Sequence, residues 1–250
     1  MHDLLYSTVK VPIQVSAPLY VAIWIMCLGG LFLIRRQSKK KGSSSKWTTQ
    51  DILSLAIIGV MLMLYNSLIA DRFIDPLAKS IPVVGSFLNF WGIKSLPYQF
   101  ILITGIAIIR KPGVATGLIF IKYLLEQLIF SSSGVDPLKW PGFIYQGLFI
   151  DLYILARGEK LLNPRSLVID AFIIGFIKDM PRTQFDDFIM GPFLGSKTTT
   201  LAKDLLQTVH DAVSHAIYTA LFVHLGVRVA KSVTQMGGRA QINVPAETKN

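Results

Sequence analysis

What most constrains this chain is a rhythm of seven apolar runs, at roughly 18–34, 52–70, 97–109, 114–130, 141–156, 166–178 and 207–227, divided by basic or Pro/Gly-containing stretches. A helix rises about 1.5 Å per residue, so a run of about 20 apolar residues crosses a hydrocarbon core of about 30 Å. The third and sixth runs are short for a perpendicular crossing. They are expected to lie partly within protein or to extend past these bounds. Composition agrees: with 52% hydrophobic and only 16% charged residues, and a mean hydropathy of +0.50, the chain has too little charge for an ordinary soluble domain. The expectation is an all-α integral membrane protein.

A net charge of +10 raises the possibility of nucleic acid. The basic residues, however, fall between apolar runs and not along one face, which suits a lipid membrane surface and argues against a nucleic-acid partner. The single cysteine, Cys27, lies inside the first run. That excludes a disulfide framework and a cysteine-rich metal site. There is no GxxxxGK[ST] loop, so the chain is not expected to hydrolyse ATP. No nucleophile–base set or metal-ligand spacing stands out, so it is not read as an enzyme, and no cofactor or metal is expected.

"RRQSKKK" follows the first run at once, and neither a basic leader before the run nor a small-x-small cleavage site after it is present. This is a stop-transfer pattern and implies a retained anchor. With residues 35–46 placed in the cytoplasm and the spans alternated, inner segments hold fifteen Lys and Arg residues and outer segments nine. The positive-inside rule then puts the N-terminus outside and the C-terminus in the cytoplasm, in a multi-pass protein of the plasma membrane. The expected organisation is an extracytoplasmic segment and anchor helix (1–34), a basic Gly/Ser-rich linker (35–46), a six-helix membrane core (47–230) and a cytoplasmic tail (231–250). The linker makes the anchor dispensable for the core fold on this reading. "TTQD" after Trp47 supplies helix-start residues. The outer segments 71–96 and 179–206 contain Pro, Gly and apolar residues, and are expected to lie on or plug the outer face.

Ionisable residues inside the apolar runs are the candidate site. In "KPGVATGLIFIKYLLEQLIF" (111–130), Lys122, Tyr123, Glu126 and Phe130 share one helix face. Burying such charges costs at least about 2.5 kcal/mol each. Either Lys122 and Glu126 neutralise one another as a structural pair, or the face lines a cavity. The next run carries Gln146 and Gly147, with Gln146 level with Glu126, and Asp151 deeper, as an alternative partner for Lys122. Asp170, close to Arg165, reads as structural. In the last run Thr208, Asp211, His215 and Tyr218 form one stripe. There Asp211 and His215 make a helix-packing pair, a ligand contact or part of a metal site. Trp91 and Tyr98 flank the start of the third run, where they can close over a bound ring.

With "TTQDILSLAIIGVMLMLY", "RKPGVATGLIFIKYLLEQLIFSSSG" and "YQGLFIDLYIL" in this order, the chain resembles a substrate-binding S component of an energy-coupling factor (ECF) transporter. It is nearest the YkoE-like type, linked to thiamine or its hydroxymethylpyrimidine precursor. The matching positions are Lys111, Pro112, Gly113, Glu126, Ser133, Gly134, Gln146, Gly147 and Asp151. The family core has six helices, so the N-terminal helix is additional here. The resemblance implies capture of a vitamin-like solute for a transmembrane coupling subunit and ATPase subunits, with a small-residue surface at Ala56 and Gly59 facing the coupling subunit. Acidic groups beside aromatics suit a cationic heteroaromatic ring. The alternative is an accessory, non-transporting subunit of another membrane complex that reuses the fold.

Overall fold

The structure is a computed structural model, and it describes residues 8–9, 11–40, 46–81, 92–131, 134–193 and 199–236. It is helical apart from one two-residue antiparallel pairing of β1 (Thr8–Val9) with β2 (Thr199–Thr200). The principal helices among the described residues are α1 (Ile13–Lys40), α2 (Thr49–Met63), α3 (Leu96–Ile109), α4 (Val114–Phe130), α5 (Trp140–Arg157), α6 (Leu167–Gln184) and α7 (Leu201–Met236). After Met63, α2 continues without a break through a π-helical stretch, Leu64–Ile74, into Asp75–Ser80. Between α6 and α7 lie a π-helical stretch, Phe185–Met190, and a helical turn, Gly191–Phe193.

Local chemistry sets the boundaries. Thr48 caps α2 in a reciprocal box with Asp51, satisfying amides that the first turn leaves unpaired. The turn between α3 and α4 needs backbone in the left-handed region at Arg110 (φ 51°) and Gly113 (φ 98°), and glycine takes that conformation without steric cost. Lys111 closes the turn onto α2, its Nζ 2.7 Å from Asp51 Oδ2. Asp170 is buried at the same end. It accepts from Tyr153 Oη and the Leu162 amide and pairs with Arg157 at 2.8 Å, which is a structural role.

Six helices close into a ring. Going round it, α2 packs on α4, α4 on α5, α5 on α6, α6 on α7, α7 on α3, and α3 back on α2. Leu102, Ile103, Ile106, Leu118, Ile119, Ile150 and Ile174 fill the interior, each no more than 1% exposed. The helix α1 stands outside the ring, along α5 and the 185–193 segment.

The N-terminal helix, expected to be dispensable for the core fold, is seated against it. A Cβ on Gly30 would meet the Leu148 side chain. Tyr20 stacks on Phe193 with ring centroids 5.2 Å apart and donates to the Leu138 carbonyl at 3.1 Å. A basic linker permits separation but does not enforce it, and the apolar face of α5 offers α1 a surface to bury.

Among the described residues, three helical stretches, Ile13–Lys39, Thr49–Leu77 and Ala202–Gln235, are long and apolar enough to cross a membrane. Each carries large apolar side chains on its outer face, among them Ile25, Phe32, Leu53, Leu206 and Leu221, all more than half exposed. Such a surface is unfavourable in water and suits lipid. These helices mark a helical membrane protein.

Candidate functional site

The π-helical end of α2 prepares one wall of a cavity. Its Asp75 amide reaches the Ala70 carbonyl five residues back, and this wider winding stacks residues four and five apart. Asn66, Ala70 and Asp71 therefore come round on the cavity side, together with Ser67. The Asn66 Nδ2 and Ser67 Oγ donate to Glu126 Oε1 at 3.0 and 2.8 Å. Lys122, one turn back along α4, approaches Glu126 Oε2 at 2.7 Å. Lys122 is 3% exposed, and its Nζ lies 3.6 Å from the Tyr123 ring centroid and 5.9 Å from that of Tyr98. A buried ammonium needs such compensation, because its desolvation is costly unless a charge and hydrogen bonds replace the lost water.

The facing wall comes from α6 and α7. A Cβ on Gly175 would lie 2.8 Å from Ala216 Cα, so the two helices touch there backbone to backbone. One turn further on, this close approach sets Asp179 against His215. The His215 Nδ1 contacts Asp179 Oδ2, Lys178 Nζ reaches the same oxygen at 3.1 Å, and Gln146 Nε2 of α5 donates to Asp179 Oδ1 at 3.3 Å. Lys178 Nζ also lies 4.6 Å from the Tyr98 ring centroid. Tyr98 of α3 is thereby contacted by two buried ammonium groups, one from each wall.

Between the walls lies a cavity of about 800 Å³, within the range of about 300–1,000 Å³ usual for small-molecule sites. Tyr123 and Phe143 give it an apolar flank, stacked with centroids 4.0 Å apart and planes 7° from parallel. Lys94 and Lys139 stand at its rim with side chains 38% and 52% exposed. Aromatic faces beside buried charges of both signs can hold a flat, polar organic molecule. Among the described residues, no group of three or more His, Cys, Asp or Glu side chains is placed to hold a metal ion.

The cavity gathers Glu126 and Lys122 of α4, Tyr98 of α3 and His215 of α7, three separate stretches of sequence. Gln146 sits behind it, 1% exposed, and touches it through Asp179. Several residues take other places. Asp211 is outside the lining and pairs with His210 at 3.3 Å; the expected Asp211–His215 pair gives way because the imidazole turns across to α6. Asp151 does not meet Lys122. It accepts from the Ala115 and Thr116 amides at 3.0 and 2.8 Å, capping α4 at its start, about 10 Å from Lys122 at 1.5 Å per residue. The antiparallel packing of α4 and α5 fixes that level.

The expected partner surface is also revised. Gly59 is buried inside the chain, where a Cβ would meet Ile121 Cγ2 at 2.6 Å. Ala56 remains exposed. Trp91 lies outside the described residues.

Sequence reasoning missed Asn66, Ser67, Lys178 and Asp179. The polar pair inside "LMLYNSLIA" was a usable signal, as was the helical spacing of Gly175, Lys178 and Asp179. Lys178 closes the sixth apolar run and Asp179 opens the expected outer segment 179–206, whereas α6 runs on to Gln184. Compared with protein-family models, with curated proteins and with solved structures, the chain matches none.

Proposed function

We propose that this chain is a seven-span plasma-membrane protein, N-terminus outside, that captures a vitamin-like solute as the substrate-binding S component of an ECF-type importer. The observation that carries the reading is the position of the cavity. It lies at the end of the six-helix ring formed by the close of α2, α4 and α6 and the start of α3 and α5. The basic residues Arg110, Lys111, Arg157, Lys160, Arg228 and Lys231 belong to the opposite end. With that end in the cytoplasm, the cavity faces the source of an imported solute. A coupling subunit and ATPase subunits, as separate chains, would supply the energy.

The solute on this reading is a cationic heteroaromatic of the thiamine or hydroxymethylpyrimidine class. The flat rings of Tyr98, Tyr123 and Phe143 support it, as does the carboxylate of Glu126. The test is titration calorimetry of thiamine and hydroxymethylpyrimidine against the full chain in dodecyl maltoside, with mass spectrometry of whatever small molecule co-purifies. Saturable binding of one of them is expected. No heat from either, and no heteroaromatic among the co-purified molecules, would remove the reading.

The second reading, an accessory subunit of another membrane complex, is favoured by α1. The ring closes without that helix, yet α1 is seated along α5. Gentle extraction from native membranes separates the two: ATPases in the recovered complex support import, and enzyme subunits without ATPases support the accessory role.

A further inference from the structure

We infer that His215 is a specificity-determining residue of the cavity: the solute presents a neutral N–H or O–H group to its Nε2. This rests on the solute-binding reading and names a substituent that the solute carries. The imidazole is fixed from behind. Its Nδ1 contacts Asp179 Oδ2. That carboxylate is held in turn by Lys178 Nζ at 3.1 Å from Oδ2 and by Gln146 Nε2 at 3.3 Å from Oδ1. The backbone is fixed as well, since a Cβ on Gly175 would run into the His215 carbonyl. His215 lines the cavity with its side chain 12% exposed. Its Nε2 makes no hydrogen bond among the described residues.

A neutral imidazole donates from one nitrogen and accepts at the other, and the partner of the first sets the role of the second. With a carboxylate at Nδ1, the proton sits there and Nε2 keeps its lone pair. Lys178 already offsets the charge of Asp179, so a further proton on Nε2 would leave a positive charge unmatched in a largely buried site. Asp179 is thus a positioning residue, acting on the solute through the ring that it holds. The carboxylates of the lining differ in kind. Glu126 is engaged by Asn66, Ser67 and Lys122, while Asp71 and Asp186 add negative charge to the cavity, which favours a cation. An uncharged ring nitrogen instead accepts from a neutral donor. A solute with only acceptor atoms at that point would leave both partners unpaired, and a site of this kind discriminates against it. The solute therefore sets its donor substituent toward α7 and its flat face against Tyr123 and Phe143.

The test uses the full chain in dodecyl maltoside at about pH 7.5, where an ordinary imidazole is neutral. Histidine is isotope-labelled at its ring nitrogens and followed by nitrogen NMR. The ligand-free spectrum is expected to show one histidine with its proton on Nδ1 and a bare Nε2, signals that disappear in His215→Asn. The asparagine amide still reaches toward Asp179 but offers nothing at the Nε2 position. The binding probes are aminopyrazine and methylpyrazine, which match in shape and differ in one donor group. Aminopyrazine is expected to shift the Nε2 signal and to bind the wild-type protein about tenfold more tightly, the value of one hydrogen bond. In His215→Asn the two probes should bind alike. Four outcomes overturn the inference: a proton on Nε2 in the ligand-free protein, a Nε2 signal that aminopyrazine does not move, equal affinities in the wild-type protein, or a preference that persists in His215→Asn. If the variant does not fold, the wild-type spectrum and the two wild-type affinities decide alone. Titration of thiamine and hydroxymethylpyrimidine is read separately. Binding of either with an unmoved Nε2 signal sinks this inference and spares the importer reading. A responsive Nε2 and an aminopyrazine preference, without binding of thiamine or hydroxymethylpyrimidine, do the reverse.

Discussion

Gly147 of α5 lies against the backbone of α4 at Thr116: a Cβ added to it would stand 2.6 Å from the Thr116 nitrogen. No side chain fits between the two helices at this level. Gly147→Ala must therefore push α5 away from α4, and overpacking of this kind costs about 1–3 kcal/mol. Thermal unfolding in detergent should show a lowered midpoint. Gly29→Ala, where nothing lies within 4 Å of the added carbon, should leave the midpoint unchanged or slightly raised.

One turn along from Gly147, Asp151 holds the first amides of α4 and is fully buried. Asp151→Asn keeps the shape but turns one acceptor into a donor facing an N–H group. A loss of about 1–3 kcal/mol in stability is expected. Solute affinity of the folded fraction should be unchanged, since the residue lies outside the cavity lining. A variant of normal stability with lost binding would return Asp151 to the site.

The Lys122–Glu126 pair separates structural from ligand roles. Replacing both residues by apolar ones removes the whole pair and leaves no unmatched charge, a change that buried pairs often tolerate. The double variant is expected to insert and fold yet to bind solute poorly. Glu126→Gln alone should weaken affinity about ten- to a hundred-fold through loss of a charge-assisted hydrogen bond, about 1.5–3 kcal/mol. Unimpaired uptake by the folded double variant would leave the pair with a structural role alone.

Helix α1 is predicted to matter for stability. Tyr20 is 8% exposed and joins Phe193, Phe185 and the Leu138 carbonyl. Removing a buried aromatic side chain costs about 3–5 kcal/mol, so Tyr20→Ala should clearly lower the melting midpoint, and deletion of residues 1–46 should lower it further. If the deleted protein melts like the full chain, the seat on α5 contributes nothing.

Orientation is open to a direct test. A cysteine at Ser44 should resist an impermeant thiol reagent on intact cells, and one at Ser132 should react. Native Cys27 is buried and should give little background. The opposite labelling pattern would turn the cavity toward the cytoplasm and remove the importer reading.

The sequence by itself determined where helices form and, for Ile13–Lys39, Thr49–Leu77 and Ala202–Gln235, that they are long and apolar enough to cross a membrane. Apolar runs, the Thr48–Asp51 start signal and the Pro–Gly turn before α4 act within a few residues, so they can be read locally. It also pointed to Glu126, Lys122, Tyr98 and His215, because a polar group in an apolar run is conspicuous whatever it later touches. Partnership is another matter. His215 finds Asp179, thirty-six positions earlier, and not Asp211 one turn away, because the Gly175 contact brings α6 against α7. Asp151 lies level with the start of α4 and not with Lys122, because antiparallel packing sets the depth at which two helices meet. The linker composition suggested a free α1, while the face of α5 gave it a seat. A pairwise contact depends on the rotation, depth and spacing of two helices at once, and no stretch of a single helix encodes those; only the packed ring decides them.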